Sequence, residues 1–406
     1  MSIQLTLNRF ASHAADYSDD LRVIQSLAAQ RQAAAEIKTW PGFAVTPLRG
    51  LPALAAAHGL AGIQYKDEGG RFGLGSFKAL GGAYAVFRLL QKQIAMKTGQ
   101  TPEQVTSSDV LSGRYADLVC GITVTCATDG NHGRSVAWGA SLFGCGCVIY
   151  IHTLVSEGRR AAIAAYGAEV VRASGNYDDS VRRAQADAER LGRFVVSDTS
   201  YPGYRDVPRD VMQGYSIMVA EALAQMPQPP THVFVQGGVG GLAASVLAYL
   251  WESFGEDRPT FVVVEPDRAD CLRRSAEAGY RVAVEGDLDT MMAGLACGEV
   301  SEIAWPILQS GADAFMAIDD DLAVATMRQL ALPRPGDPPI VAGESAVAGL
   351  AGALAALADP AMAQRLGLGR QSRLLVCGAM GPGGGGGGAG RVGFFSPPGA
   401  PRPRTL

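Results

Sequence analysis

Apolar and polar positions along this chain alternate between two periods. Short apolar runs rich in β-branched residues, bounded by glycine, proline or charged residues, recur at Ile63–Lys66, Val119–Ala127, Cys147–Ile151, Glu169–Arg172, Arg193–Ser197, Val233–Gln236 and Phe261–Glu265. Each predicts a strand. Between them lie longer stretches with helical spacing of apolar residues, over Phe77–Gln93, Arg134–Phe143, Glu157–Tyr166, Tyr177–Leu191 and Leu242–Trp251, and these predict helices. Strands and helices in this order give the α/β class, with mostly parallel, twisted sheets flanked by helices. At 406 residues the chain has room for two domains. The division expected is a large domain from residues 1–81 and 198–376, a small domain of residues 82–197 inserted into it, and a tail of residues 377–406. Ligands favour the cleft between such units.

Three polar, glycine-rich segments interrupt this pattern at strand-to-helix junctions. Arg71-Phe72-Gly73-Leu74-Gly75-Ser76-Phe77-Lys78 puts one lysine at a glycine-framed helix start. A free lysine, with a pKa of about 10.4, is a poor nucleophile, but one held in a closed pocket can form a Schiff base with pyridoxal phosphate. The alternative is a solvated helix-start lysine. Thr128-Asp129-Gly130-Asn131-His132-Gly133 follows a strand and opens a helix, where backbone N–H groups suit a carboxylate or phosphate; alone it is an ordinary turn. Gln236-Gly237-Gly238-Val239-Gly240-Gly241 lets the backbone approach an anion at a helix N-terminus. It matches neither the dinucleotide fingerprint nor the Walker loop. Asp198 closes the run Arg193–Ser197, at the strand end where open α/β sheets bind ligands. A turn or helix cap is the competing role for that aspartate and for Asp129.

In this order the three motifs resemble the tryptophan-synthase-β-like, or fold type II, pyridoxal phosphate enzymes over most of the chain. The resemblance implies that Lys78 carries the cofactor, with Asn131, Gly237, Gly238, Val239, Gly240, Gly241 and Glu344 binding it and Thr128, Gly130 and His132 meeting the substrate. Finer motifs are similar to the diaminopropionate ammonia-lyase branch. These are Lys66-Asp67-Glu68, Asp129-Gly130-Asn131-His132-Gly133-Arg134, Asp198-Thr199, Val264-Glu265-Pro266-Asp267, Met292 to Glu299, and Gly343-Glu344-Ser345. That branch implies elimination from D- and L-2,3-diaminopropionate to pyruvate and ammonia, with Asp129 the base for the D-isomer and Asp198 for the L-isomer. An acid at Asp129 separates this reading from a serine or threonine dehydratase-type eliminase, in which a small neutral residue is usual. The resemblance further suggests a homodimer, and brings Cys271 and Cys297 beside the active site, where a reversible disulfide between them is conceivable.

Composition adds boundaries. A net charge of −4 with no basic run gives no footprint for nucleic acid. No stretch reaches the roughly 20 apolar residues of a membrane span, and no signal peptide is recognisable at Met1–Phe10, so a small-molecule amino-acid substrate and the cytoplasm are expected. Seven cysteines without a Cys-x-x-Cys pair and five scattered histidines speak against a metal site. The resemblance breaks after Val376. The family places a Ser/Thr-Glu-Gly type motif there, facing the cofactor's pyridine nitrogen. This chain has Cys377-Gly378-Ala379-Met380-Gly381-Pro382, then Gly383 to Gly388 and a Pro/Arg-rich stretch that reads as disordered. A pyridoxal-phosphate-binding protein with impaired catalysis is therefore the non-enzyme alternative.

Overall fold

The computed structural model describes residues 3–128, 130–175 and 177–381. Asp129 and the glycine run with the remaining tail lie outside the described residues. In chain order the strands are β1 (Ile3–Leu7), β2 (Leu48–Gly50), β3 (Gly62–Asp67), β4 (Thr123–Ala127), β5 (Gly146–Ile151), β6 (Glu169–Arg172), β7 (Phe194–Val195), β8 (His232–Gln236), β9 (Thr260–Pro266), β10 (Ala314–Ile318) and β11 (Arg373–Gly378). The first three and last four form a seven-stranded sheet in the order β1-β10-β9-β8-β11-β3-β2. The middle four form a second sheet in the order β6-β5-β4-β7. The chain thus starts one sheet, leaves it to build the other, and returns. All pairings are parallel except at the edges of the larger sheet, where β1 runs against β10 and β2 against β3.

Central strands of a parallel sheet are covered on both faces, and their sequences lose alternation accordingly. Val233, Phe234 and Val235 of β8 and Phe261 to Val264 of β9 are fully buried. Strand order then says where a ligand belongs. From β8 the larger sheet grows outward through β9 and β10, whereas β11 lies on the other side of β8; in the smaller sheet β5 and β6 lie on one side of β4 and β7 on the other. Each sheet therefore has a switch point, where a crevice opens beyond the carboxyl ends of the strands. The loops there are those after β8 (Gly237–Gly241) and β11 in one sheet, and after β4 (Thr128 onward) and β7 (Val196–Asp198) in the other.

Near these crevices the helix Lys78–Thr98 packs against two others, Asn131–Phe143 and Asp206–Gln225. Their contacts are backbone-close. A Cβ on Gly82 would stand 2.3 Å from Ser135 Oγ, and one on Gly214 would stand 2.0 Å from Leu80 O. Ser135 Oγ in turn donates to Lys78 O at 2.6 Å. The first turn of the lysine helix is therefore fixed from two sides.

Most elements shift by a few residues at their ends, the strand expected over Arg193–Ser197 shortening to Phe194–Val195, and two differences go further. The run expected as a strand from Val119 begins instead as the end of a short helix, Ala116–Val119, and extended pairing starts only at Thr123. Gly121 and buried Ile122 make the connection. The final strand does not stop at Val376, because Cys377 and Gly378 continue the register opposite Lys66 and Asp67. Ala379 and Met380 are buried as well, so the first residues of the expected tail belong to the core.

Candidate active site

The segment leading to Lys78 is held in an unusual backbone shape. Phe72 has φ +49° and Gly73 and Gly75 have φ +72° and +75°; a left-handed aromatic residue is uncommon and needs surroundings that enforce it. The enforcement is visible. Phe72 packs on Trp138 with ring centroids 4.7 Å apart, Arg134 Nη1 donates to Leu74 O at 2.9 Å, and Gly381 N donates to Gly75 O at 2.9 Å.

Beneath it lies a buried ionic network. Arg71 donates to both Glu68 oxygens at 2.8 Å, to Glu221 Oε1 at 2.9 Å and to Glu221 Oε2 at 2.6 Å. Lys66 Nζ donates to Glu221 Oε2 at 2.8 Å and Thr46 O at 2.7 Å. Two cations face two carboxylates, so the burial is compensated.

Lys78 Nζ lies 2.5 Å from Asp198 Oδ2. Burial alone would lower the lysine and raise the aspartate, but their pairing outweighs it, with His132 also acting on Asp198. Lys78 is held well above the ordinary amine range and Asp198 well below the ordinary carboxylate range. The rings of Phe77 and Tyr215 flank the amine at 5.4 and 5.6 Å. His132 faces the same oxygen, with Nδ1 3.7 Å from Asp198 Oδ2 and Nε2 2.9 Å from Val196 O. Burial keeps its pKa below the usual imidazole value.

The other expected residues fall into distinct places. Thr128 Oγ1 accepts from Gly130 N and Gly133 N, each at 3.1 Å, so it closes the helix start and uses two of the N–H groups there. Asn131 Nδ2 meets Met380 Sδ at 3.8 Å. Met380 O accepts from Gly343 N at 3.1 Å, which connects this loop to Gly343-Glu344-Ser345. Glu344 is buried, and burial raises its carboxyl. Ser345 Oγ accepts from Gly294 N at 3.0 Å, and a Cβ on Gly238 would stand 3.4 Å from Gly294 O and 3.2 Å from Cys297 Sγ. A continuous run of contacts thus joins the glycine cup to the lysine segment. Cys271 Sγ lies 3.8 Å from Gly238 O; all seven cysteines are free thiols.

The cup suits a phosphate. Gly240 has φ +100°, and the helix Gly241–Phe254 that follows has no acid in its first turn. Its leading N–H groups lack intrahelical partners and form the positive end of the helix dipole. A partly buried amine, an acid-free helix start and a glycine-framed loop together fit pyridoxal phosphate. Among the described residues no cluster of metal ligands occurs, and no helix is long and apolar enough to cross a membrane.

Sequence reasoning missed Tyr215, Met380, Ser345 and the Glu221 partner of Arg71. Of these only Ser345 lies inside a motif, next to Glu344. The others reach the site through folding of distant segments.

Family models place residues 39–377 among the pyridoxal-phosphate dependent enzymes, and the chain belongs to that family. Its relatives narrow the class further. The chain is 41% identical over 320 residues to the diaminopropionate ammonia-lyase of Salmonella typhimurium, covering 77% of this chain and 78% of that one. It is 40% identical over 349 residues to the Escherichia coli enzyme, covering 84% and 85%. A crystal structure of the latter, in complex with an aminoacrylate-PLP azomethine reaction intermediate, superposes with a TM-score of 0.83 at 36% identity over 94% of both chains. The protein is a pyridoxal-phosphate-dependent lyase of the fold type II architecture.

Proposed function

We propose that this protein eliminates ammonia from 2,3-diaminopropionate, releasing pyruvate and a second ammonia, with Lys78, Asp198 and Asp129 as the working groups. The observation that carries the reading is the placement of Asp198 directly on the Lys78 amine, where a substrate bound to the cofactor must pass. The likeness to diaminopropionate ammonia-lyases over most of the chain supports the same choice of substrate.

Pyridoxal phosphate, when bound, supplies a conjugated ring that withdraws electrons from the substrate's Cα. The residues do the rest. Lys78 provides the amine that holds the cofactor and is displaced by the substrate. Gly238, Val239, Gly240 and Gly241 offer backbone N–H groups to the phosphate. Gly237, whose own N–H donates to Val264 O at 2.8 Å, shapes the turn instead, and Asn131 and Glu344 border the ring. Thr128, Gly130 and His132 line the substrate side. Asp198 takes the Cα proton of the L-isomer and Asp129 that of the D-isomer, and Lys78 returns a proton to the leaving amine.

Cys377 stands at the end of β11, where the family has a serine or threonine. Burial pushes its thiol up to about 12, so it stays an S–H and can donate weakly toward the ring nitrogen. We read residues 1–81 and 198–376, extended through β11 and the buried Met380, as the large domain and 82–197 as the small one, an assignment that the division of the strands into two sheets supports. A homodimer in the cytoplasm completes the reading.

The test is the absorbance of the purified protein with pyridoxal phosphate, followed by pyruvate release from D- and L-2,3-diaminopropionate. A cofactor band with pyruvate from both isomers is expected. A band without turnover contradicts the lyase reading, and turnover of serine or threonine alone favours a dehydratase-type eliminase.

A further inference from the structure

Among the described residues two buried polar atoms near the Lys78–Asp198 pair lack a hydrogen-bond partner, His132 Nδ1 and the Tyr215 hydroxyl, and of these His132 Nδ1 is the one with Asp198 Oδ2 within 4 Å. The other ring nitrogen is committed. Nε2 faces Val196 O at 2.9 Å, and Val196 is itself fully buried and pinned by its N–H to Thr125 O at 2.8 Å. A carbonyl can only accept, so Nε2 carries the proton and Nδ1 presents a lone pair. Asp198 Oδ2 lies 3.7 Å from that nitrogen. While Asp198 is a carboxylate, two acceptors face each other and no hydrogen bond can form.

We propose that His132 and Asp198 work as a pair, in which Nδ1 accepts the hydrogen bond of Asp198 once that carboxylate has taken up the substrate's Cα proton. This rests on the reading of Asp198 as the base for the L-isomer. In that step the Cα–H bond breaks, an O–H bond forms on Oδ2, and the electron pair stays with the substrate and cofactor. The proton remains on Asp198; His132 gains a partner, not a charge. The separation closes from 3.7 Å to hydrogen-bond distance, about 2.8 Å.

A charged imidazolium would lower Asp198 as Lys78 does. Burial keeps His132 neutral, however, and a neutral ring that accepts this hydrogen bond favours the protonated form of Asp198 and makes it a stronger base than Lys78 alone would leave it. When the Lys78 amine is engaged elsewhere, its ion pair to Asp198 is lost and His132 Nδ1 remains 3.7 Å from Oδ2. The other groups facing the pair are Tyr215 from the helix Asp206–Gln225, Cys126 from β4, and Tyr204. All three are raised by burial and stay neutral at working pH. Tyr204 is also occupied, donating to Val195 O at 3.0 Å and accepting from Ser197 N at 2.9 Å. His132 is thus a positioning residue that tunes Asp198 rather than one that meets the reacting carbon.

Two variants separate the nitrogens. His132→Gln keeps an amide donor for Val196 O and removes the acceptor facing Asp198, whereas His132→Asn keeps an acceptor at the Nδ1 position. The acidic limb of the kcat/KM profile for the L-isomer is expected to move down by about half to one pH unit in H132Q, a three- to ten-fold change on that limb. It stays at the wild-type position in H132N, whatever the absolute rates, and the D-isomer limb moves in neither. An unmoved limb in H132Q, or equal movement in both variants, overturns the proposal.

A second readout needs no turnover. In ¹⁵N-histidine holoenzyme, His132, assigned by difference with H132N among five histidines, shows one protonated and one unprotonated nitrogen from pH 6.5 to 9, with Nε2 the protonated one. An Nδ1–H tautomer or an imidazolium overturns the proposal. Loss of L-isomer turnover in Asp198→Asn is the control for the underlying reading: if it fails, Asp198 is not the base, while success there with an unmoved H132Q limb defeats the pairing alone.

Discussion

Lys78 Nζ and Asp198 Oδ2 form a 2.5 Å ion pair that joins the start of a helix, reached directly from the larger sheet, to the switch point of the smaller one. In the cofactor-free protein this pair holds the amine protonated, and a protonated amine is not a nucleophile. Cofactor uptake by apoprotein is therefore expected to accelerate as pH rises from 7 toward 9. In Asp198→Asn the amine loses the partner that raises it, while burial still lowers it. The absorbance change on adding pyridoxal phosphate to D198N apoprotein at pH 7.5 is expected to be about ten-fold faster than in wild type, the worth of one pKa unit. Equal rates would mean that the pair does not control the amine.

Histidines set one arm of the pH dependence of stability. His132 and His232 are both buried, and burial holds both below the usual imidazole value. Below about pH 6.5 the unfolded chain binds protons at these positions that the native protein does not, so their contribution to stability is lost as pH falls. Thermal melts are expected to show a lower midpoint at pH 5.5 than at 7.5. His232→Gln, which keeps a donor for Leu366 O, is expected to narrow that difference.

Glu221 balances two buried cations, Arg71 and Lys66, at 2.6 and 2.8 Å. Removing one carboxylate leaves positive charge buried without compensation, which costs about 3–5 kcal/mol. Glu221→Ala is therefore expected to lose that much in denaturant unfolding, and to loosen the Arg71–Gly75 segment in hydrogen exchange. A change below about 1 kcal/mol would place the network among exposed ion pairs in effect.

The cup makes a separate prediction. A side chain on Gly238 would press on Cys297 Sγ at 3.2 Å, a contact that a small shift can relieve. One on Gly240 must adopt φ +100°, at a cost on the order of 1–3 kcal/mol. Gly238→Ala is expected to fold normally and bind pyridoxal phosphate several-fold more weakly in apoprotein titration. Gly240→Ala loses both affinity and stability.

Much of this architecture is legible in the chain. β6 and the helix Tyr177–Leu191 follow the pattern residue for residue, because an apolar run or stripe there is cleanly bounded. The helix Asp206–Gln225 is not marked. It is buried nearly all round, from Pro208 and Val211 to Met218 and Ala222, so no polar face gives it a period. The edge strand β1 pairs with β10 across most of the chain, a relationship no local window contains.

The site divides in the same way. Lys78 and the glycine cup announce themselves because backbone geometry demands glycine at fixed offsets. Asp198 could be placed from its position at a strand end. The His132 contact, the Arg71–Glu221 pairing and the seat of Met380 beside Asn131 depend on which loops the two sheets bring together. β11 extends to Gly378 because its register with β3, not its composition, decides where it ends.

The division of labour between two aspartates is the central claim, and turnover of separate isomers by Asp198→Asn and Asp129→Asn tests it most directly. The account predicts that D198N loses pyruvate release from L-2,3-diaminopropionate by at least about 10²-fold, the usual weight of a general base, while keeping most of its activity on the D-isomer, and that D129N shows the reverse. Equal loss on both isomers in either variant would contradict it.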